Sequence, residues 1–224
     1  MERKKWVRNC PLFRGIPEEE MEILLKRIKA CTRIYQKDEI LLNVGDTVRS
    51  FGIVASGELF VMKEEYSGST AMVAQILSGE LFAEAFAAGE ACATVTVMAA
   101  DKTEVLWIDY RAMTETCPDS PAHKILMKNM MQILARKNLF LTGRISHLSR
   151  RTLREKVLSY LSEQALKEGK KSFEIPFDRQ GLADYLAADR SALSAVLGKL
   201  KKEGVLSFRK NQFELLKEEE QIKI

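Results

Sequence analysis

The chain has 224 residues, with 35 Lys and Arg against 31 Asp and Glu and a net charge of +4 at pH 7, a length that fits one large domain or two small ones. No apolar run of about 18 residues is free of charges, so no transmembrane helix and no membrane partner are expected. The opening Met1-Glu2-Arg3-Lys4-Lys5-Trp6 leads into no apolar h-region, which points to a cytoplasmic protein. The four cysteines, Cys10, Cys31, Cys92 and Cys117, form no CxxC pair, so no metal centre is assigned and a disulfide framework is not expected. They read as small buried hydrophobes or free thiols, with a redox-sensing thiol as the alternative.

Taken in order, residues 11–31 read as a short helical segment. Pro17 suits a first helical position, Glu18, Glu19 and Glu20 suit an N-terminus, and Met21, Leu24, Leu25 and Ile28 recur at helical spacing. From Thr32 to Tyr110 short β-prone pieces follow: 39–42, 51–54, 58–62, 71–74, 95–98 and 104–108. Turn signals separate them at Gly45-Asp46, Ser56-Gly57, Ser67-Gly68-Ser69 and Ser78-Gly79. Many short strands at regular spacing predict a β-barrel, roll or jelly roll. Pro118 and Pro121 end this region. Residues 122–147 then contain no proline and one glycine, Gly143. Met127, Met130, Leu134, Asn138, Leu141, Ile145 and Leu148 recur at spacings of three and four, a heptad-like seam. A helix of about 26 residues would span about 39 Å, long for a helix lying on its own domain, which favours a homodimer seam.

A further helix is expected over 150–169, and Pro176 resets the chain. Asp178 can cap a helix that turns Leu182, Ala183 and Leu186 inward. Ala187-Ala188 makes a tight connection, and Asp189 can cap a second helix, 190–203, whose apolar stripe is Leu193, Val196, Leu197 and Leu200. Gly204 stands at the stop position. Residues 205–208 and 212–215 then form a hairpin around Arg209-Lys210-Asn211. The opposite face of the second helix holds Ser191, Ala195, Gly198, Lys199 and Lys202. Small residues there let the helix sink into a major groove, so double-stranded DNA is the expected partner. The charge agrees: residues 1–149 hold 19 basic and 19 acidic residues, so the net +4 falls wholly in residues 150–224.

The segment DRQGLADYLAADRSALSAVLGKLKKEGVL resembles the helix-turn-helix of the CRP/FNR regulator family. Leu12-Phe13-Arg14-Gly15-Ile16, Gly45-Asp46, Gly57 and Gly79-Glu80-Leu81-Phe82-Ala83-Glu84 resemble the glycine-punctuated cyclic-nucleotide-binding-type roll of the same family. The resemblance implies an α+β protein in three parts: a β-roll sensor over 1–120, a dimerisation helix over 121–148 and a winged helix-turn-helix over 149–224. It implies that Arg190 and Ser191 read base edges, and that Arg179 and Gln180 contact the DNA backbone. Lys199, Lys202, Arg209 and Lys210 join them as phosphate contacts. Ala195 matches a position where a base-reading arginine stands in some members, so the operator should differ from theirs. RNA polymerase is a further candidate partner, and no catalytic motif points to an enzyme.

In members that bind a cyclic nucleotide, a Glu accepts from the ribose and an Arg-Ser or Arg-Thr pair holds the phosphate. By resemblance Glu84 matches the Glu, Thr94 the Ser or Thr, and Ala93 the arginine, and Asn138 completes the expected pocket. Residues 83–100 contain no Lys or Arg, and a buried phosphate without a paired cation is costly. A small effector other than cAMP or cGMP is therefore expected, and its identity stays open. The alternative is a regulator of the same fold that answers to thiol oxidation or to no effector.

Overall fold

Short strands bounded by turns build the N-terminal half. The structure, a computed structural model, describes residues 10–64, 70–115 and 120–216, and the chain divides into two compact units, Met1–Leu134 and Ala135–Ile224. Cys117, Pro118 and the turn signal Ser67-Gly68-Ser69 lie outside the described residues. In the first unit the strands are β1 (Cys31–Tyr35), β2 (Ile40–Leu42), β3 (Ser50–Ser56), β4 (Leu59–Glu64), β5 (Thr70–Ile76), β6 (Leu81–Phe82), β7 (Thr96–Ala99) and β8 (Thr103–Asp109). They form two antiparallel four-stranded sheets, β1-β8-β3-β6 and β2-β7-β4-β5. Phe51, Ile53, Leu59, Val97, Val105 and Ile108 from both sheets join one core. Gly52 is required there: a Cβ would stand 2.3 Å from the Phe82 ring, which packs edge-on against Trp107 at 5.2 Å.

Helices α1 (Glu18–Arg27), α2 (Glu84–Ala88) and α3 (Tyr110–Glu115) and the start of α4 (Pro121–Leu148) belong to this unit. The helix expected over 11–31 is thus shorter. Residues Pro11–Phe13 make a 3-10 turn, and α1 stops at Arg27 because Lys29 turns left-handed (φ 52°) while Ala30 N–H donates to the Leu25 carbonyl. Cys31 then starts β1, which pairs with β8. Ala122, Leu126 and Met130 of α4 are buried in the first core, and Asn129 Nδ2 donates to the Leu12 and Arg14 carbonyls at 2.9 and 2.8 Å.

That burial corrects the seam. Met130 is 3% exposed in its own unit's core, so it is closed to a partner. Met127 and Leu134 are half-buried against the same core. The large apolar side chains that α4 leaves exposed are Met131, Leu139, Phe140, Leu141 and Ile145. At 100° per residue, Met131 falls on the stripe of Met127, Leu134, Asn138, Leu141 and Ile145, and Met130 stands to one side of it.

In the second unit the last turns of α4 are followed by α5 (Leu153–Glu168), β9 (Ser172–Glu174), α6 (Arg179–Tyr185), α7 (Arg190–Lys202), β10 (Leu206–Arg209) and β11 (Gln212–Leu215). α5 starts later than expected because Thr152 and Glu155 form a reciprocal capping box, with Glu155 N–H donating to Thr152 Oγ1 at 3.2 Å. The sheet is β10-β11-β9, with β9 an unexpected third strand. Val157, Leu161, Ile175, Leu182, Leu193, Leu197, Leu200 and Phe213 meet in a second core.

The end of α4 is keyed to this core. Arg144 donates through Nε to the Tyr185 carbonyl at 3.1 Å and through Nη2 to the Asp184 carbonyl at 3.0 Å, both at the C-terminus of α6. His147 is buried, with Nδ1 3.0 Å from Ser159 Oγ and Nε2 3.1 Å from Glu163 Oε2. Burial pushes its pKa below the usual histidine range, and the Glu163 carboxylate opposes that shift. His123, also buried, lies with Nε2 2.6 Å from the Met113 carbonyl. No helix among the described residues is long and apolar enough to cross a membrane.

Candidate nucleic-acid interface

Two capped helices and a hairpin carry the site. Asp178 accepts from Gly181 N–H at 2.7 Å and starts α6. The connection to α7 turns on Ala187, which is left-handed (φ 49°), while Ala188 N–H donates to the Ala183 carbonyl at 3.0 Å. An alanine in that conformation costs about 1–2 kcal/mol, so packing on both sides must hold the turn. Asp189 stands at the N-cap of α7 with extended backbone, but its side chain makes no capping hydrogen bond, contrary to expectation. The inward stripe Leu193, Leu197 and Leu200 is fully buried, and Val196 is half-buried.

The other face of α7 points to solvent. Arg190, Ser191, Ala195, Lys199 and Lys202 are exposed, and Gly198 lies among them. A Cβ added at Gly198 would meet nothing within 4 Å. Crowding inside the chain therefore does not explain a residue that costs a helix interior about 1 kcal/mol relative to alanine. Arg154 of α5 holds the far end of the helix through an ion pair to Glu203 at 2.6 Å.

Two of the expected phosphate contacts are engaged within the chain. Gln180 Nε2 donates to Asp184 Oδ1 at 2.8 Å. Arg179 is half-buried, and its guanidinium lies 5.0 Å from the Phe208 ring centre and 5.8 Å from that of Phe213. Burial first, and the neighbouring Arg190 charge second, lower its pKa. Arg209 and Lys210 are exposed at the hairpin turn, where Lys210 is left-handed (φ 54°). The aromatic pair Phe208 and Phe213, stacked at 5.8 Å, and Lys201 over Phe208 at 5.2 Å were not singled out from sequence. The positions i and i+5 across a two-residue turn were the available signal.

Glu84, Ala93 and Thr94 of the expected effector pocket lie in the first unit. Glu84 is buried in the first turn of α2, directly after the left-handed Ala83 (φ 63°). Ala93 is 2% exposed, and its N–H and carbonyl bond to the Asp46 carbonyl and to Gly45 N–H. Its side chain joins the core of the first unit. Thr94 is exposed. Asn138 belongs to the second unit, where its Oδ1 accepts from Thr142 Oγ1 at 3.3 Å. A cavity of about 640 Å³ in the first unit is lined instead by residues that include Lys29, Arg49, Glu90, Asp109 and Tyr110. Its lining comes from scattered turns and helix ends, which no sequence motif marks. Cys10 is buried and its thiol pKa is raised by that burial, whereas Cys31 and Cys92 are exposed. Among the described residues no group of three or more His, Cys, Asp or Glu could hold a metal ion.

A model of the Cyclic nucleotide-binding domain matches residues 32–119, and a model of the Crp-like helix-turn-helix domain matches residues 155–220. These two domains in this order define a transcription regulator that binds DNA through a helix-turn-helix. The Cyclic AMP receptor protein of Thermus thermophilus is 26% identical over 204 residues, covering 89% of each chain. By these two domains and this relative the chain is homologous to regulators of the CRP/FNR family. Solved structures agree in fold. CprK complexed with OCPA gives a TM-score of 0.62 at 14% identity over 90% of this chain and 92% of that one. A CooA mutant from Carboxydothermus hydrogenoformans gives 0.56 at 20% identity over 90% and 88%.

Proposed function

We propose that the protein is a homodimeric regulator that reads an inverted-repeat operator with α7, under control of a small effector other than a simple cyclic nucleotide. Within this reading residues 1–120 are the effector domain, 121–148 the dimerisation helix and 149–224 the DNA-binding domain. The observation that carries it is the outer face of α7. Arg190, Ser191 and Ala195 are exposed there beside Gly198, whose missing side chain nothing within the chain requires. Close approach of a groove wall supplies the requirement. Gly198→Ala should then have opposite effects on two measurements. Thermal or denaturant unfolding should show a gain of about 1 kcal/mol, the helix-interior preference for alanine. Affinity for a selected operator should fall. Equal or tighter operator binding by the more stable variant would remove the argument for close approach.

The effector reading rests on charge. Residues 83–100 contain Glu84 and Glu90 and no Lys or Arg, and Ala93 faces the core. The Thermus relative has cyclic AMP in its name, but a cyclic phosphate carried into this loop would find two carboxylates and no Lys or Arg within the loop itself. Desolvating it there would cost several kcal/mol. Calorimetric titration with cAMP and cGMP should therefore show no saturation below about 1 mM. Micromolar binding of either nucleotide would overturn this part of the reading.

A further inference from the structure

Arg179 occupies a place that a plain phosphate clamp would not. It is the first residue of α6, yet its guanidinium lies against the wing: 5.0 Å from the Phe208 ring centre, 5.8 Å from that of Phe213, with Nη2 donating to the Lys210 carbonyl at 3.4 Å. One flat group thus touches β10, β11 and the turn between them. Lys201 of α7 also lies over the Phe208 ring, at 5.2 Å. Phe208 is therefore the point at which both helices of the helix-turn-helix meet the hairpin. The hairpin end beyond it carries Arg209 and Lys210, both exposed.

We propose that Arg179 is a positioning residue that braces the wing against the helix-turn-helix, so that Arg209 and Lys210 reach the DNA backbone in register with α7. The proposal rests on the DNA-binding reading above. The chemistry calls for arginine in particular. A guanidinium offers a flat face to a ring and an edge of donors to a carbonyl at once, whereas a lysine ammonium is a compact point charge without that flat face. The charge facing Arg179 is that of Arg190, of like sign, so the brace adds to the positive field at the DNA face. A phosphate contact at Arg179 would be served about as well by lysine, and it would be independent of the wing tip.

The two roles separate in Arg179→Lys. In the free protein, hydrogen exchange of the amides of 206–215 should become faster in this variant, with those of α5 unchanged. Phe208→Leu removes the ring and should speed the same amides. On a selected operator, Arg179→Lys should weaken binding about tenfold, within the range of a desolvated cation–π contact. Adding Arg209→Ala to Arg179→Lys should then cost little more, because the wing tip is already out of register. If Arg179→Lys leaves the hairpin exchange unchanged, the brace is wrong whatever happens on DNA. It is equally wrong if Arg179→Lys binds like the wild type, or if the losses from Arg179→Lys and Arg209→Ala multiply independently. Faster hairpin exchange in a protein whose wild type selects no DNA sequence would instead overturn the operator reading and leave the brace standing.

Discussion

Replacing Leu141 and Ile145 with aspartate should convert the protein to monomers that no longer hold an inverted repeat. Both side chains are exposed on α4, at 55% and 64%, and Met131 continues the same stripe at 68%. A helix of 28 residues that leaves such a stripe uncovered presents an apolar surface of the kind that marks an interface. In a two-fold seam each substitution would be buried twice, so four carboxylates would lose water without a partner. Each costs several kcal/mol, more than a dimer of ordinary affinity can absorb. Sedimentation should show the mass of one chain, and far-UV circular dichroism should show an intact fold, because neither residue is buried in its own unit. Met130→Asp should behave differently. That side chain is 3% exposed within the first core, so the charge should destabilise the first unit itself. An unchanged dimer in the Leu141→Asp, Ile145→Asp variant would move the interface off α4.

The contrast between Met130 and Met131 shows what a heptad count can read. Spacing alone places both residues near one face, and only the packing of α4 on Leu12, Phe13 and the sheets decides which is taken. The helix-turn-helix was legible because its signals are local: the Asp178 cap, the stripe Leu193, Leu197 and Leu200, and the stop at Gly204. Short strands were legible where turns bracketed them. β1 was hidden because Arg33 interrupts its apolar pattern and it pairs with β8, some seventy residues away. β6 has two residues, too few for any period, and β9 is defined by its partner β11. Arg179 was assigned by resemblance to DNA alone, because its stack on Phe208 and Phe213 is a tertiary contact that chain order does not announce.

The expected result with the greatest consequence for recognition is a division between Arg190 and Arg209. Arg190 is the first residue of α7 and is exposed, where a guanidinium can reach guanine O6 and N7 together. Ser191 beside it can donate to or accept from a neighbouring base, and the Ala195 methyl can pack on a thymine methyl. A two-fold dimer should place two such helices about 34 Å apart, one turn of DNA. Arg190→Ala should therefore cost about 1–3 kcal/mol on the selected operator and relax the preference at one base pair in each half-site, with little change on random DNA. Arg209 ends β10 at the exposed hairpin turn, away from base edges in this reading. Its loss should weaken binding to all sequences alike and flatten the salt dependence by about one unit of slope per half-site. Sites selected from a random pool by the wild type and by each variant, then titrated across salt concentrations, measure both effects. If no inverted repeat emerges, or if Arg190→Ala selects the same motif as the wild type, α7 does not read the operator in this way. If Arg209→Ala changes the motif and leaves the salt slope intact, the wing reads bases, and the division between the two arginines is reversed.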